Sequence, residues 1–327
     1  MSKLKNALLL SSSGGSLSQE VAIIDLLINQ KKIEINEDET FLAGFGSGAL
    51  TLVALNACFR KNNPCSWENF FKEDFLNSIS DEEIFIKIHP IHWSTLPLRR
   101  KISEFMTESG YSKISDLPFV SNILAFSVDM QKTIWLKSNS IKEASSDLSD
   151  IIMATSAIPV LFPPQQINSV NNDRLSIPDG AYIEGAMEGI FKKVKRQLKE
   201  VVSENGQFEK LFIVSPQRHF ESDIITPYNY HRMNLDEKDN FSDYLDNISM
   251  SGFLQFLKKI QRANSKKKIA KSIYVCMPEM VSSLDLLDFS DQSVKYKETY
   301  EWFELNMSRL TVELDEFVAE KEETLVR

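Results

Sequence analysis

The chain has 327 residues and a formal net charge of -9, with 43% apolar and 25% charged residues. This composition is typical of a folded globular protein, and the acidic balance argues against a general nucleic-acid binder, because phosphate neutralisation requires a basic surface. No linker is evident, and the length fits one large α/β domain. We therefore expect a single domain over residues 1–327 that ends in a helical tail over about 292–327.

The cysteines and histidines give no sign of a metal site or a cofactor. The three cysteines show no CxxC spacing, which favours a reducing compartment, and the four histidines are scattered along the chain. No apolar run approaches the roughly 18 residues of a membrane span, and the run at residues 7–10 is too short for a secretory signal. A cytoplasmic location without metal or cofactor is expected.

The amino-terminal part predicts two consecutive strand–loop–helix units. The apolar run "NALLL" at residues 6–10 is followed by "SSSGGS" and then by the helical spacing of "LSQEVAIIDLLINQ". The second unit is "ETFLAG", then the tight loop "FGSG", then the apolar helix "ALTLVALNACFRK". Two such units in succession predict a parallel sheet.

The remainder of the chain supplies further strands and helices of the same α/β class. The pattern over residues 62–115 predicts peripheral helices. The segment "FVSNILAFSVDMQKTIWLKSN" predicts two adjacent strands, the second at a half-exposed edge of the sheet. The helix in "SDLSDIIMATSAIPVLFPP" must stop at its prolines. "KLFIVSP" and "KSIYVCMP" complete a mostly parallel central sheet with helices on both faces.

Taken in order, "SSSGGS", "GFGSGA", "ATSAIPVLFPP" and "PDGA" resemble the motifs of the patatin-like phospholipase family over nearly the whole chain. The resemblance implies a three-layer patatin-like fold and hydrolysis of lipid acyl esters by a Ser-Asp dyad. A serine on a strained strand-to-helix turn, called the nucleophile elbow, attacks the ester while a carboxylate takes its proton. By the same resemblance Asp179 is the base, and Gly180 closes the turn behind it.

The predicted elbow departs from the family pattern Gly-x-Ser-x-Gly. Laid on "GFGSG", the pattern puts Gly44 and Gly48 on the flanking glycines and leaves Gly46 at the position of the nucleophile. Ser47 comes one residue late, where its backbone N–H is a candidate oxyanion donor and its side chain a candidate helix cap. Alternating glycines could let the elbow re-form around Ser47, which keeps that residue as the candidate nucleophile.

The first loop is the predicted oxyanion hole, with Gly14 and Gly15 as the candidate backbone donors. It lacks the third glycine and the basic residue that the family usually has there. Two functions therefore stay open. One is a lipid acyl hydrolase with a Ser47–Asp179 dyad acting on a lipid or other acyl ester. The other is an inactive patatin-like protein that binds a lipid or a protein partner.

Two further patterns offer alternatives. Gly44, Gly46 and Ala49 match the G-x-G-x-x-A dinucleotide fingerprint of NAD(P)-binding proteins. This interpretation needs an acidic residue at the end of the next strand. Glu68 has roughly the right spacing, but it lies in a segment whose pattern is helical. Basic stretches at 191–199 and 258–271 read as solvated helix faces or as a peripheral contact with an anionic membrane.

Overall fold

The fold is a central sheet flanked by helices in a computed structural model that describes residues 4–12, 14–79, 86–89, 92–157, 162–167, 181–184, 190–216, 250–278 and 289–326. The strands are β1 (Asn6–Leu10), β2 (Thr40–Gly44), β3 (Ile86–His89), β4 (His92–Ser94), β5 (Val120–Ser127), β6 (Lys132–Lys137), β7 (Gln165–Gln166), β8 (Ala181–Glu184), β9 (Phe208–Val214), β10 (Ala270–Cys276) and β11 (Val312–Glu313). The α-helices are α1 (Leu17–Asn29), α2 (Ser47–Cys58), α3 (Leu96–Ser109), α4 (Leu148–Thr155), α5 (Ile190–Asn205), α6 (Met250–Lys267), α7 (Gln292–Leu305) and α8 (Leu314–Val326).

Within the described residues the main sheet has nine strands in the order β11-β10-β9-β1-β2-β5-β8-β7, with β6 paired to β5. The five central strands β10, β9, β1, β2 and β5 pair in parallel, and the outer strands pair antiparallel. Because β1 lies between β2 and β9, the loops after these strands meet at one edge of the sheet. The predicted mostly parallel sheet is confirmed.

Alternating side chains of the central strands build two separate cores. In β1, Leu8 and Leu10 join one core with α1, α2 and α4, whereas Ala7 and Leu9 join the other with α6 and α8. A strand buried on both faces must be apolar at every position, which explains the uninterrupted runs in the sequence. The three-layer arrangement, with helices on both faces of the sheet, is confirmed.

Three regions differ from the expected helices. Residues Trp67–Phe75 form a nine-residue π-helix, and Ile86–His89 pairs with His92–Ser94 in a small antiparallel hairpin where helices were expected. The helical tail expected from about residue 292 is interrupted by β11, which pairs with β10. The two helices on either side of β11 pack on opposite faces of the sheet, α7 against α1 and α8 against α6.

Among the helices of the described residues, none combines the length and the apolarity needed to cross a bilayer.

Candidate functional site

Two glycine-containing turns lie side by side at the carboxyl edge of the sheet. β1 leads through Ser11 into a 3₁₀ turn at Gly14–Ser16 and then α1, and β2 leads through Phe45 and Gly46 into α2. Leu10 at the end of β1 is in register with Gly44 at the end of β2, which brings both turns to the same level. The carboxyl edge of a parallel sheet is where α/β proteins usually bind ligands.

The glycines at both sides of the second turn are required by close backbone contacts. A Cβ on Gly44 would lie 2.8 Å from the carbonyl oxygen of Gly48. A Cβ on Gly48 would lie 2.5 Å from the oxygen of Ser11 and 2.7 Å from that of Leu10. Both distances are below any tolerable contact, so the first turn of α2 can approach β1 only with glycine at these positions.

Gly46 is the apex of this turn. Its backbone has φ 55° and ψ -134°, and α2 begins at the next residue. A positive φ with a strongly negative ψ is strained for residues with a side chain and open to glycine. The strand, the strained residue and the helix together have the form of a nucleophile elbow, and the residue in the strained conformation is Gly46 rather than Ser47.

Thr155, at the end of α4, fixes the apex. Its Oγ1 accepts a hydrogen bond from the Gly46 N–H at 2.9 Å and donates one to the Leu124 carbonyl oxygen at 2.5 Å. Thr155 is fully buried, so both bonds form away from water. Thr155 lies in the "ATSAIP" segment that carried the family resemblance, but no local pattern in that segment marks it as a support of the elbow.

Ser47 occupies the first position of α2 and joins the two turns. Its Oγ accepts a hydrogen bond from the Gly14 N–H at 2.8 Å, and the residue is 8% exposed. The cap position of α2 belongs to Gly46, which has no side chain to cap with, so the expected role of Ser47 as a helix cap was wrong. The Ser47 hydroxyl instead engages the backbone amide that was predicted to stabilise an oxyanion.

The glycine turn after β1 is held by a helix from the far end of the chain. Gln292, 4% exposed at the start of α7, donates from Nε2 to the Gly15 carbonyl oxygen at 2.9 Å and accepts the Ser18 N–H on Oε1 at 3.2 Å. Lys295, one turn later, directs Nζ to the same Gly15 oxygen at 3.5 Å. No sequence motif marked Gln292, because its partners are more than 270 residues away.

The predicted site residues are therefore placed only in part. Gly44, Gly46 and Gly48 form the turn after β2, and Ser47 contacts the Gly14 turn. The predicted base Asp179 and its neighbour Gly180 lie outside the described residues. The predicted pairing of Ser47 with Asp179, and the catalytic roles assigned to these residues, stay predictions.

Glu68 does not lie where the dinucleotide fingerprint requires an acidic residue. Glu68 lies in the π-helix, whereas the next strand of the main sheet after β2 is β5, which begins at Val120. The acid that would bind a ribose hydroxyl at the end of that strand is therefore not supplied by Glu68. Within the described ranges, His, Cys, Asp and Glu residues form no group of three or more that could hold a metal ion.

The stretch 191–199 lies within α5, and the stretch 258–271 covers the second half of α6 and continues into the start of β10. The helices α5 and α6 pack together on the layer that α8 shares. Both helices run toward the amino edge of the sheet, because each is followed by a parallel strand that starts there. The basic residues at 266–271 thus lie at the edge opposite the glycine turns, whereas residues 191–199 begin nearer to them. A membrane contact through these stretches stays a prediction.

Comparison with known proteins identifies no family. No protein-family profile matches the chain, and no curated protein is significantly similar in sequence. Among solved structures, VipD from Legionella pneumophila aligns with a TM-score of 0.37 and 10% identity, covering 92% of this chain and 67% of that one. A similarity at this level assigns no function.

Proposed function

We propose that this chain is a patatin-like acyl-hydrolase scaffold that binds an acyl lipid without cleaving it. The observation that carries the proposal is the apex of the elbow, where Gly46 adopts φ 55° and ψ -134° and supplies no hydroxyl. In a nucleophile elbow the strained residue bears the attacking atom, because the strain holds that side chain out of the turn.

The contact between Ser47 and Gly14 also favours binding over hydrolysis. An oxyanion hole stabilises the transition state only if its amide donors are directed at the oxygen of the substrate. Here the Gly14 N–H donates to Ser47 Oγ at 2.8 Å, so this donor must leave its partner before it can serve a substrate. The same hydrogen bond occupies one of the two lone pairs of the Ser47 oxygen and lowers its electron density for nucleophilic attack.

The lipid class rests on the parts of the elbow that remain. Gly44 and Gly48 are sterically required, Thr155 holds the apex amide, and the turn after β1 faces the elbow. These features support the resemblance to lipid acyl hydrolases, and that resemblance was first seen in the sequence motifs that contain these residues.

A second candidate is hydrolysis by Ser47 with Asp179 as the base. Its support is that Ser47 Oγ already lies between the two glycine turns, where a reacting hydroxyl would be needed. A local rearrangement of the Gly44–Gly48 turn would have to free the Gly14 amide for the substrate.

One set of variants separates the two candidates. A serine-reactive fluorophosphonate with a long alkyl chain would be applied to the wild-type chain, Ser47→Ala, Gly46→Ser and Gly46→Ser/Asp179→Asn. Hydrolysis of a chromogenic acyl ester would be measured on the same proteins. We expect no labelling and no hydrolysis in the wild type, labelling in Gly46→Ser, and its loss when Asp179 is also replaced. Wild-type labelling that disappears in Ser47→Ala would overturn the non-catalytic proposal and favour the dyad.

Lipid binding is tested separately with a fluorescent fatty acid. We expect saturable binding to the wild-type chain, blocked in Gly46→Ser after covalent labelling with the long-chain fluorophosphonate. Unlabelled Gly46→Ser is the matched control, since it has the same substitution with an open site. Absence of saturable binding to the wild type would refute the lipid part of the proposal.

A further inference from the structure

A cleft of about 430 Å³ opens between α1, the end of α2, the π-helix and α7. This volume is in the range of small-molecule sites. Its lining includes the aromatic rings of Phe59, Trp67, Tyr296 and Tyr300 and the carboxylates of Asp25 and Glu68. Asp25 lies seven residues along α1 from Ser18, about 10 Å along the helix axis, so the cleft is separate from the glycine turns.

The floor of the cleft is a hydrogen-bonded network around Asp25. Trp67 Nε1 donates to Asp25 Oδ1 at 2.5 Å, and Lys72 Nζ donates to Oδ2 at 2.8 Å. The Tyr296 hydroxyl also donates to Oδ2. Three elements of the fold are thereby joined at one carboxylate, and the rings of Trp67 and Tyr296 are held in fixed orientations beside it.

The Lys72 ammonium has no donor left for an anionic ligand. It meets Asp25, Glu68 Oε2 at 2.7 Å and the Tyr296 hydroxyl oxygen at 3.0 Å, which accounts for its three hydrogens. Burial would lower the pKa of Lys72, but the hydrogen bonds to Asp25, Glu68 and Tyr296 outweigh it and raise the pKa above its ordinary value. The ammonium is therefore charged and fully engaged at neutral pH.

The remaining chemistry of the cleft favours a cation. Two carboxylates face one ammonium, and the Glu68 side chain is 59% exposed at the rim. The aromatic faces already hold one cation, because Lys72 Nζ lies 4.5 Å from the centroid of the Tyr296 ring. Ring faces beside a carboxylate are the usual means by which proteins bind quaternary ammonium groups.

The π-helix is a second and independent sign of a site. Trp67, Glu68 and Lys72 all belong to this nine-residue element. π-helices are rare, and short π segments are frequently found at functional sites.

We propose that this cleft binds a small organic cation, with a quaternary or alkyl ammonium group seated between the Glu68 carboxylate and the rings of Trp67 and Tyr300. The inference does not depend on the proposed lipid-binding function. Choline represents the class, and either a free choline or the headgroup of a phospholipid could supply it.

Isothermal titration calorimetry on the full chain tests the proposal with choline and with neohexyl alcohol, its uncharged carbon isostere. We expect choline to bind, and the alcohol to bind at least roughly tenfold more weakly, because only the charged ligand gains the carboxylate and ring attraction. Glu68→Gln should weaken choline about threefold to tenfold, and Tyr300→Leu by a similar factor.

Glu301→Gln is the matched control. Glu301 lies on α7, is also 59% exposed and pairs with Lys297 at 3.7 Å, but it does not line the cleft. We expect it to bind choline as the wild type does. Equal binding of choline and the alcohol, no choline binding at millimolar concentrations, or an equal loss in Glu301→Gln and Glu68→Gln would each overturn the proposal.

A vesicle arm then identifies the source of the group. Sedimentation with phosphatidylcholine vesicles that is reduced by free choline and by Glu68→Gln would assign a phospholipid headgroup. Binding of free choline without vesicle sedimentation would assign a soluble cation.

Discussion

Replacing Thr155 by valine should destabilise the fold through two buried backbone groups. Valine has nearly the shape of threonine but no hydroxyl, so the Gly46 N–H loses its acceptor at 2.9 Å and the Leu124 carbonyl loses a donor at 2.5 Å. A buried polar group that loses its partner costs about 1–3 kcal/mol, and two such groups are affected, so Thr155→Val should lower the free energy of unfolding by about 2–6 kcal/mol.

Thr155→Ser is the matched variant, since it keeps the hydroxyl and removes only a buried methyl group. Loss of one buried methyl costs about 1 kcal/mol, so the serine variant should be clearly more stable than the valine variant. Urea unfolding followed by both fluorescence and circular dichroism measures the difference. Amide hydrogen exchange at Gly46 should also be faster in Thr155→Val, because the apex amide loses its acceptor. A valine variant as stable as the serine variant would refute the assigned role of Thr155.

Three further predictions concern the stability of glycine variants, the reactivity of a buried cysteine and the effect of pH on stability. Gly48→Ala should lower the thermal midpoint more than Gly110→Ala, because a Cβ at Gly48 meets backbone at 2.5 Å whereas one at Gly110, with φ 80°, meets only an arginine side chain at 3.9 Å; equal shifts would contradict this. Burial raises the pKa of the Cys58 thiol to about 12, so a thiol reagent at pH 8 should modify the half-buried Cys65 well before Cys58, and mass spectrometry of native and unfolded samples checks the order. Burial also raises the pKa of Tyr111 from 10.0 to about 12, and since the unfolded state loses this proton first, stability should fall as pH rises from about 10 to about 12. That fall should be shallower in Tyr111→Phe, and an unchanged slope would argue against the shift.

The sequence predicted the architecture well where the signals were local. Uninterrupted apolar runs such as residues 6–10 identified strands buried on both faces, and the spacing of Gly44 and Gly48 placed the apex at Gly46. Each of these signals lies within a few residues, so the physical reason for the structure is contained in the segment itself.

Features that depend on distant partners were not predictable in this way. The Ser47 hydroxyl could have capped its own helix, and only the relative position of the two glycine turns directs it to Gly14. The π-helix at Trp67–Phe75 has an apolar pattern that an α-helix would share, and the two-residue strand β11 is too short to interrupt a helical pattern in the sequence.

The hydrogen bonds by which Gln292 holds the turn after β1 affect the order in which the protein matures during synthesis. Gln292 lies 277 positions after Gly15 in the chain, so its hydrogen bonds to Gly15 and Ser18 cannot form until most of the polypeptide has left the ribosome. Chains emerge at about 5–20 residues per second. The turn after β1 would therefore lack the hydrogen bonds to Gln292 for many seconds while the rest of the chain is synthesised. In that interval β1 and β2 can already pair, but α7 is not yet available to contact the turn between β1 and α1. The carboxyl edge of the sheet at the glycine turns is thus expected to be among the last parts of the molecule to mature, and stalled or shortened chains would retain the elbow but lack the turn that α7 holds beside it.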